Sequence, residues 1–265
     1  MHTDPQKALH YAVKLAKKAG KIQMKRLGEK HHIEYKGEIN IVTEVDHACE
    51  ELIVNGLKKA FPHHDILAEE GRGGGSSSEY RWIVDPLDGT VNYAHGFLAF
   101  CVSIALEIRG ELVVGVIYDP TRDECFTAIK GKGAYLNKKR IQVSPVSKLR
   151  QALLATGFAY NIYEKEVMDN FNHFQNFIKT AQAVRRPGSA ALDLAWVASG
   201  RLDGFWEFFL KPWDMAAGVL IVREAGGTVT SFDGSAFDLY GTRILASNGF
   251  IHDDMRGILS GDRSQ

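Results

Sequence analysis

Asp85 and Asp88, three residues apart, sit in the run Trp82-Ile83-Val84-Asp85-Pro86-Leu87-Asp88-Gly89-Thr90. An apolar strand delivers Asp85 at its end, Pro86 has no N–H to give a ladder, and Gly89 permits a tight turn into Thr90. Two carboxylates flanking a freed Leu87 carbonyl are hard oxygen donors of the kind Mg²⁺ takes. After Gly89 the chain enters a short helix whose N–H groups would point at an anion. An ordinary Asp-Pro and Asp-Gly turn is the competing reading, because each dipeptide alone forms turns. The position at the end of a buried strand favours a site.

Further acids fit the same chemistry. Glu69-Glu70 follows a short strand, Asp65–Ala68, and ligands gather outside the carboxyl ends of neighbouring strands. The alternative is that both glutamates are solvated loop acids. Asp214 opens an apolar helix in Lys211-Pro212-Trp213-Asp214-Met215-Ala216-Ala217-Gly218, where an aspartate is favourable with or without a ligand. If Glu69, Asp85, Asp88 and Asp214 converge, they cannot all stay ionised without cations between them. Two or more divalent ions ~4 Å apart are a recurring answer in phosphoryl transfer to water. Asp46, three residues after Thr43, reads as a capping-box acid or as the group that orients a hydroxyl or water.

Other chemistries find no support. There is no GxxxxGK[ST], and Gly71-Arg72-Gly73-Gly74-Gly75 lacks the strand and spacing of a dinucleotide loop. The pairs His31-His32 and His63-His64 are adjacent, so their side chains diverge and zinc is disfavoured. No GxSxG elbow occurs, and the cysteines carry no nucleophile motif. Aspartate-nucleophile phosphatases space their two aspartates two apart rather than three.

The elements that must position these residues follow from periodicity. Thr3-Asp4-Pro5-Gln6 reads as a helix start with Thr3 as cap, and Leu9, Ala12, Val13, Ala16 and Ala19 follow at helical spacing. The cluster Lys14, Lys17, Lys18, Lys21 and Lys25 is a solvated helix surface or a nucleic-acid face. A second helix spans Thr43 to Ala60. Strands are expected at 65–68, 81–84, 100–109, 112–118 and 125–129, with Gly110-Glu111 as a hairpin turn. Helices are expected at 164–181, 189–199, 213–225 and 249–259. Gly71–Ser78 reads as a mobile loop, either a surface insertion or a flap beside the site. Hairpins bracketed by helices give an α+β layered architecture.

Composition bounds the rest. The chain has 265 residues with 32 Lys+Arg against 32 Asp+Glu, so no general attraction to nucleic acid or anionic lipid is expected. Cys49, Cys101 and Cys125 are odd in number and lack CxxC spacing, which argues for a reducing compartment. The start shows no apolar h-region, and Phe97 to Leu106 is too short to span a bilayer. A cytoplasmic protein with no membrane contact is the expectation.

Ala68-Glu69-Glu70-Gly71, Trp82–Gly96 (WIVDPLDGTVNYAHG) and Trp213–Gly227 (WDMAAGVLIVREAGG) together resemble the signatures of the inositol monophosphatase family, within the lithium-sensitive, metal-dependent phosphatases. The match runs end to end. Ala68 replaces the usual Gly and Tyr93 the usual Phe, and neither removes a donor atom. Arg185–Asp193 looks like the bacterial, extragenic-suppressor-type branch.

The resemblance implies a five-layered αβαβα fold, one domain over 1–265 with halves of about 1–145 and 146–265, and a homodimer. It implies two or three Mg²⁺ per subunit and inhibition by Li⁺. Glu69, Asp85 and the Leu87 carbonyl would hold the first ion, Asp85, Asp88 and Asp214 the second, and Glu69 would help a third. Thr90, oriented by Asp46, would activate the attacking water, with Glu69 also in the catalytic set. The N–H groups of Gly89 and Thr90 would grip the phosphate, with Asp88 and Asp214 beside it. The alcohol would meet Gly188, Ser189, Ala190 and Glu207. Glu207 could accept from vicinal hydroxyls or be a strand-end acid in the apolar run 205–210. The expected substrate is myo-inositol monophosphate or a similar polyol phosphate. Fructose-1,6-bisphosphate, histidinol phosphate and a 3′-phosphonucleotide are the rivals. A non-catalytic role binding transcription machinery is the reading from another class.

Overall fold

Asp4, one residue later than expected, caps the first helix: its side chain accepts from the Gln6 N–H at 2.9 Å, while Thr3 reaches His64. The computed structural model describes residues 3–36, 39–74, 78–159 and 170–261. Helix α1 (Pro5–Arg26) buries Ala8, Ala12, Leu15, Ala16 and Ala19 and leaves Lys14, Lys18, Lys21 and Lys25 exposed. A hairpin follows, β1 (Ile33–Tyr35) against β2 (Ile41–Thr43), which the sequence pattern did not announce. Thr43 caps α2 (Glu44–Ala60), and Asp46 returns the bond to the Thr43 N–H at 2.9 Å.

The first sheet comprises β3 (Asp65–Ala68), β4 (Tyr80–Asp88), β5 (Cys101–Ile108), β6 (Glu111–Asp119), β7 (Glu124–Ile129), β8 (Gly133–Leu136) and β9 (Lys139–Arg140), in that order. A one-turn helix, α3 (Thr90–Ala94), leaves β4. Only β3 and β4 run parallel. Pro86 does not end β4 as the sequence suggested. The register steps from Asp85 opposite Ser103 to Asp88 opposite Cys101, so the strand bulges at the residue that cannot donate. The β5–β6 turn is Arg109-Gly110, with φ of 53° and 79°, one residue earlier than expected and in the twist hairpins favour.

The second half alternates. It contains β10 (Leu153–Thr156), α4 (Phe171–Thr180), β11 (Ala183–Arg185), α5 (Ala190–Ala198), β12 (Gly204–Phe208), α6 (Pro212–Glu224), β13 (Thr228–Thr230), β14 (Arg243–Ser247) and α7 (His252–Leu259). The second sheet has the order β11-β10-β12-β14-β13. The helix expected over 164–181 appears as α4; residues 160–169 lie outside the described residues. The last helix starts at His252 rather than 249, because Gly249 adopts φ 87° in the preceding turn.

These elements stack as five layers. One core joins α1 and α2 to the outer face of the first sheet. A second fills the space between the sheets around α5 and α6. A third seats α4 and α7 on the far face of the second sheet. Helix α6 is the central layer, and every residue from Met215 to Val222 is buried. Each large apolar side chain there contributes about 1.5–3 kcal/mol relative to exposure. Gly115 on β6 lets this helix approach, since a Cβ there would meet the Ala217 carbonyl oxygen at 2.8 Å. Among the described residues no helix is long and apolar enough to cross a membrane.

Candidate active site

The bulge in β4 turns three consecutive donors toward one cavity. Asp85 Oδ1 accepts from the Leu87 N–H at 2.9 Å, which folds the chain over Pro86 and frees the Leu87 carbonyl. Gly89 then adopts φ 93°, and a Cβ there would come within 2.8 Å of the Ala99 carbonyl oxygen, so only glycine fits the turn. Neither the Gly89 nor the Thr90 N–H has a partner among the described residues. Both open onto a cavity of about 950 Å³ at the junction of the two halves.

Glu69, Asp85, Leu87, Asp88, Gly89, Thr90, Gly188, Ser189, Ala190, Glu207 and Asp214 all line this cavity. Asp46 stands behind it. The Thr90 hydroxyl lies 2.8 Å from Asp46 Oδ1 and 3.1 Å from the Leu87 carbonyl, while Asp46 Oδ2 accepts from the Thr43 N–H and hydroxyl. One Asp46 oxygen closes the capping box and the other accepts from the Thr90 hydroxyl.

Electrostatics set these acids apart from ordinary ones. Burial holds the Asp85 carboxyl well above the usual carboxylate range, and repulsion from Glu69, Asp88 and Asp214 adds to it. Asp214 is likewise raised by burial and by Asp88 and Glu69, and its Oδ2 accepts from the Lys211 N–H at 2.7 Å. It is the third residue of α6, so it caps the helix from within the first turn. Glu69 is pushed up to about 7 by burial, although Lys36 opposes the shift. Lys36 bridges Glu69 at 3.1 Å and Glu70 at 2.5 Å, a contact from the β1–β2 hairpin that no local pattern signalled.

Mg²⁺ fits this donor set. Four carboxylates repel one another around a common cavity, and the Leu87 carbonyl stands beside them as a further oxygen donor. Among the described residues no three His, Cys, Asp or Glu side chains already form a coordination shell. The fit is one of charge and donor type.

The opposite wall comes from the second half. Ser189 caps α5, and its hydroxyl donates to Asp88 Oδ2 at 2.6 Å, joined by the Ala191 N–H at 2.8 Å. That hydroxyl is buried and holds Asp88 in place. Gly188, with φ 86°, lets the chain pass over Asn92, whose amide donates to the Pro187 carbonyl at 2.8 Å. Glu207 lies inside β12 rather than at its end, and burial raises it to about 8, with Asp88 contributing. A Cβ on Gly157 would strike its carboxylate, so Gly157 makes the room Glu207 occupies. The pattern reading also passed over Asp193, an acid in the otherwise apolar helix α5. An acid in so apolar a stretch was the available signal.

A family model described as the inositol monophosphatase family matches residues 4–260. "Inositol monophosphatase 2" of Solanum lycopersicum is 48 % identical over 249 residues, covering 91 % of this chain and 94 % of that one. "Nus factor SuhB" of Pseudomonas aeruginosa is 45 % identical over 249 residues, covering 92 % of each. The solved structure of an inositol monophosphatase from Anabaena superposes with TM-score 0.89 at 45 % identity, over 98 % of this chain and 97 % of that one.

Proposed function

This chain belongs to the inositol monophosphatase family, and we propose that it hydrolyses myo-inositol monophosphate or a similar polyol phosphate to the free alcohol and inorganic phosphate. The observation that carries this reading is the Thr90–Asp46 hydrogen bond standing beside four carboxylates that line one cavity. Glu69, Asp85 and the Leu87 carbonyl would hold one Mg²⁺, and Asp85, Asp88 and Asp214 a second, with Glu69 helping a third. When bound, the ions supply positive charge to the phosphate oxygens and to the leaving alkoxide.

The protein's own groups do the rest. The Thr90 hydroxyl directs its one proton to Asp46 Oδ1, which leaves a lone pair to take a proton from the attacking water. Asp46, buried and raised by that burial, receives the proton in turn. The free N–H groups of Gly89 and Thr90 bind the phosphate and hold it in line with that water. Ser189 fixes Asp88, and Glu207 accepts hydroxyls of the alcohol.

The chain works here as one domain, with residues 1–145 and 146–265 meeting across α5 and α6, and as a homodimer in the cytoplasm. The name Nus factor on the Pseudomonas aeruginosa relative supports a second, non-catalytic role in which the surface binds transcription proteins. Co-purification that survives Asp85→Asn would support that role, and a clean pull-down would remove it.

The test is phosphate release from inositol-1-phosphate, fructose-1,6-bisphosphate, histidinol phosphate and 3′-phosphoadenosine 5′-phosphate. It is run with Mg²⁺, with added Li⁺, and with Asp85→Asn as blank. Li⁺-sensitive turnover led by the inositol ester is expected. No turnover above the blank would remove the catalytic reading.

A further inference from the structure

Asp193 has no counterpart among the residues that the reaction uses. It lies on α5 among Ala, Leu, Trp and Val, is 1 % exposed, and lines the active-site cavity. Its Oδ1 is buried without a hydrogen-bond partner, and no described residue donates to its other oxygen. Glu207 lines the same cavity and has no donor among the described residues, and its carboxyl and that of Asp88 repel Asp193. Exposed Arg186 offsets both in part.

Two buried acids away from the cavity find donors on both oxygens within their own chain. Asp119 accepts from the Thr121 and Arg122 N–H groups, the Thr121 hydroxyl and the Arg122 guanidinium. Asp203 accepts from Ser144 and the Leu153 N–H. An acid left without donors destabilises a fold, so its retention on an apolar helix calls for a donor from outside the protein. Hydroxyl groups suit both acids, because each hydroxyl can donate to a carboxylate or accept from a protonated one.

We propose that Asp193 is a second substrate-reading acid of the cavity beside Glu207, and that the two select cyclic polyol phosphates whose ring hydroxyls can donate to both acids. This deepens the phosphatase reading above and rests on it. Alcohols that lack ring hydroxyls gain nothing from Asp193, since they bring no donor to it.

The experiment compares myo-inositol 1-phosphate with p-nitrophenyl phosphate, which has no ring hydroxyls, on the full chain with Mg²⁺. Asp193→Asn is expected to raise KM for the inositol ester about tenfold, the worth of one hydrogen bond to an acid. KM for the aryl ester and kcat for both should stay within about twofold, because neither depends on that bond. Asp193→Leu is expected to raise the inositol KM at least as far while raising the melting temperature, because an unsatisfied acid is removed. Equal change on both esters, no change on either, or variants that melt lower with KM preserved would overturn the proposal and leave Asp193 as a structural acid that holds water. A native chain that hydrolyses neither ester would remove the phosphatase reading, and this inference with it.

Discussion

Two populations of buried acids coexist in this protein, and they differ in who satisfies them. Asp119, Asp203 and Glu50 are enclosed by donors from their own chain. Glu50, fully buried on α2, accepts from the Glu70 N–H at 2.7 Å and the Arg72 N–H at 2.8 Å. Asp85 and Glu207 are buried too and Asp214 partly so, but among the described residues each has one backbone donor or none, and each is raised by burial and by its acidic neighbours. The first group holds loops and strand ends in register. The second is assembled against electrostatic preference, and a fold tolerates that where a ligand supplies the missing charge or donors. Glu50 links the groups, since the turn it binds carries Glu69 and Glu70.

That contrast is open to attack, most sharply at Asp85. Asp85→Asn should lower phosphate release by about a thousandfold or more, the scale of losing a central electrostatic group. The melting temperature of the metal-free protein should hold or rise, because a repelling carboxylate is gone. A variant that melts much lower would place Asp85 in the structural group instead.

Thr90→Val keeps shape and removes the hydroxyl that Asp46 orients. A fall in kcat of about a hundredfold is expected, typical of a lost proton-transfer group, with little change in Mg²⁺ dependence. Unchanged kcat would detach Thr90 from the chemistry. Asp203→Ala should act in the opposite sense. It leaves the Leu153 N–H without a partner, so stability falls by about 2–3 kcal/mol in chemical denaturation. Activity per folded molecule should be unaffected.

A further expected effect is in the pH dependence of stability. Glu207 is raised to about 8 in the folded state from an ordinary value of 4.5. Between those values the folded protein holds a proton that the unfolded chain has released, so stability of the metal-free protein falls as pH rises across that window. Glu207→Gln should flatten the slope between pH 5 and pH 8 in thermal melts. A slope that stays the same would mean that Glu207 ionises as freely as a solvated acid. Added Mg²⁺ should restore more stability at pH 8 than at pH 6, because more of the acids around it are ionised.

Much of the site was legible because its signals are local. Asp85 to Thr90 is a continuous run, the Thr43–Asp46 capping box spans three residues, and Asp214 sits in the first turn of a helix with an apolar continuation. Where local rules compete with pairing, the reading slipped. Pro86 by itself predicts a strand end, yet β5 continues the pairing past it and the chain bulges instead. The β1–β2 hairpin that brings Lys36 to Glu69 has no alternation to announce it, with β1 exposed throughout. The short strands β8 to β11 lacked the length that makes a period visible.

What the sequence by itself determined is the kind of chemistry: the oxygen donors, the phosphate-binding turn, and the elements that carry them. Which donors are shared was decided only by the tertiary structure. Ser189 reaches Asp88 across 101 positions, and Thr90 reaches Asp46 across 44. Whether an acid is a strut or a site depends on the groups that packing brings around it. Those groups come from other layers of the fold, where neither propensity nor spacing can place them.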